Sequence, residues 1–419
     1  MALGEMMNYP GVLASNPSVH GEIAATLRAG RVVEGHAVDL LDRDLAAYAA
    51  AGITSCHESI KKIQAMEKVR DGMYAMLREA SGARDVADTI KAVTEAKLDS
   101  RHVCLVTDDR EASSLLEEGH MDHVIRRAIQ EGADPIKAIQ MATLNVAEHY
   151  ECARELGSIS PARYADMVIL DELEKVAVNT VIADGKVVSR EGKLTTRIPT
   201  PKYTGSVRKS MRVKRLPTID DLTIKAKTDR DSVKVRAIGV LPTSVLTRSL
   251  EDQALVKDAR VYANPEADLA KIAVYERHRR TGNIGLGFVK GLGLKQGAVA
   301  STVGHDSHNL VVAGMDDRSM VQAARSLIRS GGGFIAVKEQ EVLSKLPLPI
   351  AGLMSDQSAE TVARQMAELK NAWATLGSTL PCPTITLAFT TLSVIPELRI
   401  TDKGLLDTVQ FKFVNPIID

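Results

Sequence analysis

The sequence predicts an α/β fold in which a parallel β/α layer is followed by a small β unit and a C-terminal mixed α/β domain. Three features support this prediction. The first 150 residues alternate short apolar segments with amphipathic runs, turn-rich strand candidates follow from residue 157, and a basic, proline-punctuated segment precedes the last 200 residues. Alternating β and α segments are typical of a parallel sheet with right-handed crossovers.

Composition narrows the class of protein. The 419 residues are 45% apolar and 25% charged, as in globular proteins with two or three domains. Lys plus Arg equals Asp plus Glu at 53 each, and aromatics make up only 3%, so we expect no nucleic-acid partner. No apolar run is long enough for a membrane span, so we expect no membrane partner. Four scattered cysteines favour a reducing, cytoplasmic location.

Strand candidates in the first part of the chain end at polar residues. Val32-Val33 leads to His36, Gly52–Thr54 leads to His57-Glu58, and His102–Val106 leads to Asp108-Asp109. The intervening amphipathic runs are interpreted as helices, and Asp134-Pro135 is a typical helix start. These runs are 44–51, 61–78, 85–97, 121–130 and 134–150.

The composition and the turn residues change along the chain, and these changes predict four segments. Residues 1–156 form the β/α layer, 157–195 a small β unit with a turn at Asp184-Gly185, 196–218 a basic linker, and 219–419 a separate domain. Residues 193–218 hold eight Lys or Arg and no acid. We interpret this run as a solvated connection. An anion or nucleic-acid patch is the alternative, although only Tyr203 interleaves as an aromatic.

In the last domain, helices are predicted at Ser319–Arg329 and Ala359–Leu376, and a strand at Thr384–Val394. The glycines of Gly282–Gly297 match neither a P-loop nor a dinucleotide fingerprint, so we interpret them as positions of tight backbone packing.

Acids and imidazoles fall where strand candidates end: Glu5, His36, His57 and Asp108, at spacings of 31, 21 and 51 residues. A β/α barrel uses roughly 31 residues per unit, so the longest gap leaves room for one strand, within Tyr74–Ala80. Such residues converge on one rim of a barrel and suit Zn, Mn or Fe(II). The alternatives are structural histidines and an Asp108 that caps the next helix.

Several motifs resemble the adenine deaminases of the amidohydrolase superfamily, and the resemblance covers essentially the whole chain. The N-terminal motifs are Gly4–Val12, Gly35–Ala37, Cys56–Ser59, Thr107–Arg110 and Glu118–His123. The C-terminal motifs are Glu276–His278, Gly282–Thr302, His305–Asn309, Leu348–Asp356 and Val394–Leu398.

This resemblance implies a partial (β/α)8 amidohydrolase barrel and a hydrolase that converts adenine to hypoxanthine and ammonia. It makes Glu5 a carboxylate that bridges two divalent metals (Mn²⁺, Fe²⁺ or Zn²⁺), and it makes His36 and His57 ligands. Asp108 would bind metal and take the proton of the attacking water, with Glu58 as a proton shuttle or as a support for the ligands. The resemblance also implies a homo-oligomer.

The C-terminal motifs supply further candidates. The resemblance makes His305, Asp306 and His308, together with Glu276 and His278, candidates for contact with substrate or an additional metal. A polar network at a domain interface is the alternative interpretation.

The chain departs from the family in one major respect. It contains no His-x-His pair, and the resemblance begins at the glutamate after strand four, so we expect roughly three and a half of the eight barrel strands to be absent. We expect such a truncated chain to have little activity. The alternatives are a non-catalytic fragment that binds metal or a partner, and a cyclic amidohydrolase of another specificity. Ala37-Val38 and Cys56 are smaller departures.

Overall fold

The computed structural model describes residues 2–199, 201–228, 230–242 and 244–418. The chain forms two compact units: unit 1 holds residues 2–110 and 117–199, and unit 2 holds residues 111–116 and 201–418. None of the helices in the described ranges combines the length and apolar character that a bilayer crossing requires.

Unit 1 contains short parallel strands in its first 110 residues. They are β1 (Leu3–Met6), β2 (Val33–Gly35), β3 (Ser55–Cys56), β4 (Tyr74–Arg78) and β5 (Val103–Val106). β1 pairs with β2, and β3, β4 and β5 pair in sequence order, all in parallel. One further hydrogen bond links the two groups, since the Thr54 amide donates to the Val33 carbonyl at 3.0 Å. The parallel arrangement agrees with the sequence prediction.

The helices of the first 150 residues follow the strands in alternation. They are α1 (Tyr9–Leu13), α2 (Pro17–Arg28), α3 (Asp42–Ala50), α4 (Lys62–Arg70), α5 (Val86–Thr89), α6 (Lys91–Thr94), α7 (Ala112–Glu117), α8 (Met121–Gln130), α9 (Pro135–Ala142) and α10 (Leu144–His149). The predicted start at Asp134 is confirmed, because its side chain accepts a hydrogen bond from the Lys137 amide at 3.0 Å.

Three helix predictions in this region are wrong in extent, and one of them is the run 134–150, which divides into α9 and α10 at Thr143. The run 61–78 is not one helix: α4 ends at Arg70, Gly72 takes a left-handed φ of +82°, and the chain continues as β4. Glycine adopts that conformation without a steric penalty, so it marks the helix end. The strand expected within Tyr74–Ala80 is confirmed. The run 85–97 divides into the short helices α5 and α6.

A small antiparallel sheet completes unit 1. Its strands, in spatial order, are β6 (Met167–Glu172), β7 (Ala177–Ala183), β8 (Lys186–Arg190) and β9 (Lys193–Leu194). The β7–β8 hairpin turns at Asp184 and Gly185, whose φ angles are +51° and +71°. Two positive φ angles are typical of the type I′ turn that suits the twist of a hairpin.

Unit 2 is built on a ten-stranded sheet. Its strands are β10 (Ile224–Lys225), β11 (Ser232–Val240), β12 (Thr247–Lys257), β13 (Arg260–Tyr262), β14 (Leu269–Tyr275), β15 (Ile284–Lys290), β16 (Ala298–Ser301), β17 (Leu310–Gly314), β18 (Gly333–Lys338) and β19 (Glu341–Pro347). Their spatial order is β10-β13-β12-β11-β15-β14-β17-β16-β18-β19. Neighbouring strands are antiparallel except β11 and β15.

Helices and a second, three-stranded sheet accompany it. These elements are α11 (Gly205–Arg208), α12 (Asp317–Ser330), α13 (Ala359–Thr375), α14 (Pro383–Phe389), β20 (Leu398–Thr401), β21 (Gly404–Asp407) and β22 (Lys412–Val414). The two predicted helices correspond to α12 and α13. The strand predicted at Thr384–Val394 is wrong, because Pro383 begins the helix α14. Proline favours the first helical position, and a short apolar run does not by itself separate strand from helix.

The core of unit 2 lies on the central strand β14, all seven residues of which are buried. Even Lys271 is only 2% exposed, and its ammonium donates to Asp317 Oδ1 at 2.8 Å and to the Leu222 carbonyl at 3.0 Å. The adjacent β15 packs closely on β20. A Cβ added to Gly285 would lie 1.9 Å from the Thr401 carbonyl oxygen, which agrees with tight backbone packing in the glycine-rich segment.

Replacement of Gly285 by Ala should therefore destabilise unit 2, by about 1–3 kcal/mol, since a methyl group has no room there. Trp373 is the single tryptophan of the chain and is buried in unit 2, so its fluorescence during urea unfolding reports on this unit. Gly205→Ala is the matched control, because its added Cβ would meet nothing within 4 Å. Equal unfolding midpoints for the two variants would contradict the packing argument.

Candidate metal centre

The candidate ligands lie at one end of the parallel strands of unit 1. Glu5 is in β1, His36 directly follows β2, His57 directly follows β3, and Asp108 comes two residues after β5. Because the carboxyl ends of parallel strands lie at the same edge, these side chains converge there. The local fold thus brings together four residues that are far apart in sequence.

Three of them are in direct contact. Glu5 Oε1 lies 3.3 Å from His36 Nδ1, and Glu5 Oε2 lies 3.0 Å from His57 Nε2. His36 Nδ1 and His57 Nε2 are 3.1 Å apart. One ligand atom from each of the three residues fits within 4.8 Å of the others. Two imidazoles and a carboxylate therefore converge on one point.

Glu58 and Asp108 extend this cluster. Glu58 Oε1 lies 3.7 Å from His36 Nδ1 and 3.6 Å from His57 Nε2. A second group of converging ligand atoms comes from His57, Glu58 and Asp108. The two groups share His57, and each contains imidazole nitrogen and carboxylate oxygen.

Arg78, the last residue of β4, is a functional residue that the sequence did not predict. Its side chain is only 4% exposed and forms ion pairs with Glu58, with Asp108 Oδ2 at 3.0 Å and with Asp85 Oδ2 at 2.8 Å. Its place at the end of the strand expected within Tyr74–Ala80 is the sequence feature from which its role could have been predicted. Arg78 orients the two carboxylates that complete the second group.

Tyr48 and Cys56 hold the backbone next to the cluster in place, a role that the sequence did not predict. The Tyr48 hydroxyl accepts from the His36 amide at 3.0 Å and donates to the Met6 carbonyl at 2.5 Å, which ties the ends of β1 and β2 together. Burial raises the pKa of Tyr48, so it remains a neutral donor. The Cys56 sulfur accepts from the Ala37 amide at 3.2 Å.

The electrostatics keep the acids ionised. Burial alone would raise the pKa of Glu5, but hydrogen bonds and positive charge from His36 and His57 outweigh it and hold that pKa well below its usual range. Burial would raise the pKa of Asp108 as well, but the charges of Arg78 and His57 lower it. Burial would lower the pKa of His57, yet the Glu5 hydrogen bond and charge raise it to about 9. The charges of the cluster are thus mutually dependent.

The donor set suits a divalent cation. Around His36 Nδ1, the oxygens of Glu5 and Glu58 and the nitrogen of His57 lie within 3.7 Å, and one N–H cannot serve three acceptors. His36 Nε2 is buried without a hydrogen-bond partner among the described residues. Crowded imidazole and carboxylate lone pairs are the ligands that Zn, Mn and Fe(II) take.

The C-terminal candidates lie in unit 2. The Glu276 carboxylate accepts from the amides of His278, Arg279 and Thr281 at 2.5, 2.6 and 2.9 Å, so it caps its own loop. His278 Nε2 donates to the Ser307 carbonyl at 2.7 Å.

The other three candidates lie close together in one loop. The His305 and His308 rings are 5.7 Å apart, and His305 Nδ1 lies 3.3 Å from Asp306 Oδ1. None of the five C-terminal candidates belongs to the two converging groups found among the described residues. A role for them in binding substrate or metal stays a prediction.

Comparison with known proteins identifies the family. Residues 18–188 match the amidohydrolase family, and residues 244–412 match the adenine deaminase C-terminal domain. Among solved structures, N-acetyl-D-glucosamine-6-phosphate deacetylase from Mycobacterium smegmatis is 20% identical, with 41% of this chain and 51% of that chain covered and a TM-score of 0.35. That similarity is too weak to bear on function.

Similarity to curated relatives extends over nearly the whole chain. An adenine deaminase of Moorella thermoacetica is 50% identical over 99% of this chain and 70% of its own length. Another from Clostridium botulinum is 43% identical over 100% of this chain and 70% of its own length. These matches confirm the resemblance and the partial amidohydrolase barrel expected from the sequence. The chain belongs to the adenine deaminase family, within a superfamily that generally depends on divalent metals.

Proposed function

We propose that this chain contributes an active site that hydrolyses adenine to hypoxanthine and ammonia. The observation that supports it most is the convergence of Glu5, His36 and His57 in a chain 50% identical to an adenine deaminase. Asp108 lies beside this group at the same strand edge.

We propose that Glu5, His36, His57 and Asp108 hold divalent metal, with Mn²⁺, Fe²⁺ and Zn²⁺ as candidates and two ions in a complete site. Two overlapping groups of ligand atoms, which share His57, support this number, and Glu5 would hold metal in the first of them. The chemistry gained from such ions is Lewis acidity, which makes water a nucleophile near neutral pH.

Asp108 is the proposed proton acceptor. Its low pKa keeps it ionised, Arg78 holds Oδ2, and Oδ1 accepts from the Asp109 amide at 2.6 Å, so the carboxylate is fixed in orientation. It takes a proton from the water that adds to C6 of adenine and passes it to the departing amino group. The C6–N bond then breaks, and the nitrogen leaves as ammonia because ammonia is a far better leaving group than amide ion.

Glu58 has two candidate roles, as a proton shuttle or as a positioning residue. Its side chain is 1% exposed and ion-paired with Arg78, while Oε1 lies between the two imidazoles. A carboxylate so enclosed and already neutralised has little access to a substrate. These contacts favour the positioning role.

Metal content tests the ligand assignment independently of turnover. His36→Ala and His57→Ala should each reduce bound Mn²⁺ or Zn²⁺, because each removes one nitrogen from a small donor set. Elemental analysis after gel filtration measures the metal per chain. His102→Ala is the control, since this exposed histidine lies outside both ligand groups. If both site variants keep the wild-type metal content, the two residues are structural histidines.

Turnover tests the catalytic assignment. Asp108→Asn should lower ammonia release from adenine by at least about 100-fold, because an amide keeps the shape of the side chain but cannot accept the proton. The assay uses the whole chain with added Mn²⁺, Fe²⁺ or Zn²⁺. Asp88→Asn, on an exposed carboxylate of α5, is the control.

Two results would count against the proposal. More than a tenth of wild-type turnover in Asp108→Asn would remove this residue from the catalytic role. A wild-type chain that holds metal but releases no ammonia from adenine with any of the three ions, both as it is and when extended by a segment that bears a His-x-His pair, would favour a non-catalytic metal-binding role.

A further inference from the structure

Unit 2 contains a strongly basic cavity that the proposed reaction does not use. Its volume is about 1140 Å³, and it lies between the segment 205–212, the loop 278–280, the end of α12 and Pro349. None of its 14 lining residues is acidic, whereas six carry a permanent positive charge: Arg208, Lys209, Arg212, Arg279, Arg280 and Arg329.

These charges are largely uncompensated. Within the described ranges, Arg208 pairs with Asp356 at 3.0 Å, and the other five make no ion pair. Cations elsewhere in unit 2 do have acidic partners, as in the Lys271–Asp317 pair. The whole chain has zero formal net charge, so this concentration of cations is local. Like charges gathered in a concave site raise the local concentration of anions.

The cavity wall is fixed to the body of unit 2. The Ala351 amide donates to the Val207 carbonyl at 2.8 Å, and the Arg212 amide donates to the Arg277 carbonyl at 2.8 Å. The Arg277 side chain, only 1% exposed, donates to the carbonyls of His308 and Ala351 at 2.5 and 3.0 Å. Part of the segment interpreted from sequence as a solvated linker is therefore built into a cavity.

Arg277 adds a buried charge behind this wall. Burial lowers its pKa to about 10, so it stays protonated near neutral pH, and its hydrogen-bond acceptors are neutral carbonyls and the Ser210 hydroxyl. A buried guanidinium with neutral partners leaves its charge uncompensated. It strengthens the positive potential of the cavity.

We propose that this cavity binds a small molecule that carries a chain of phosphates. Several linked phosphates would supply negative charge for the five cationic side chains that make no ion pair with another described residue. Arg and Lys are also the usual phosphate-binding side chains. Met211, Ile328 and Pro349 also line the cavity and offer apolar surface to a nucleoside base. The cavity is concave and lined by no aromatic ring except that of His278, which favours a small ligand over a nucleic-acid strand.

Calorimetric titration of the full chain tests this proposal, with ATP, tripolyphosphate, adenosine and a short RNA duplex as probes. We expect saturable binding of ATP or tripolyphosphate that weakens between 50 and 200 mM salt, roughly as screening requires. Tighter binding of ATP identifies a nucleotide ligand, and equal binding identifies an inorganic polyphosphate. Both results uphold the proposal.

The double substitution Arg279→Ala with Arg280→Ala should weaken that binding by at least about tenfold, because it removes two charge-assisted contacts. Arg364→Ala with Lys370→Ala, on the exposed face of α13, removes the same charge away from the lining residues and should leave the affinity unchanged. Tryptophan fluorescence during unfolding shows whether both variants keep unit 2 folded.

Three outcomes would overturn the proposal. They are an absence of ATP and tripolyphosphate binding, equal weakening in the two double variants, and tighter binding of the RNA duplex than of either small anion.

Discussion

The ion-pair cluster around Arg78 is the interaction on which the candidate metal centre depends. One buried guanidinium contacts Glu58, Asp85 and Asp108, and the first and last of these belong to the second group of converging ligand atoms. Loss of one partner from a buried ion pair typically costs about 3–5 kcal/mol, because the remaining charge stays desolvated. Without Arg78, Glu58 and Asp108 would repel one another, and their positions next to His57 would not be maintained.

The sequence predicted the ligand edge because the relevant signals are local. His36, His57 and Asp108 each follow a short apolar run, and parallel strands bring such positions together whatever the details of packing. Arg78 and Tyr48 were missed because their importance arises from contacts with residues 7 to 42 positions away in the sequence. A place at the end of a predicted strand does not by itself show whether an arginine pairs with buried carboxylates or faces solvent.

The errors in secondary structure have a similar origin. The segment that contains α14 is apolar and rich in β-branched residues, and this composition suits a buried strand as well as a buried helix. The basic run 193–218 was ambiguous for another reason. The charges in this run do not indicate whether its backbone packs against the rest of the protein. That packing depends on the hydrogen bonds of Val207 and Arg212 to loops of unit 2, which are long-range contacts.

The alignment of β2 beside β3 links the candidate centre to a second polar layer in unit 1. Glu34 accepts from the Ser55 hydroxyl, and His36 contacts His57, so both cross-strand pairs have the same offset of 21 residues. Glu34 also lies 2.7 Å from His149 Nε2, and burial of its carboxylate is outweighed by these hydrogen bonds, which lower its pKa.

Side chains two residues apart on a strand point to the same face. A shift of one residue between β2 and β3 would therefore separate Glu34 from Ser55 and His36 from His57 at once, and would remove the Ser55 donor from the buried Glu34 carboxylate. The cost of that loss acts against the shifted register. The Glu34–Ser55 hydrogen bond thus favours the alignment that the two imidazoles require, although neither residue is a candidate ligand.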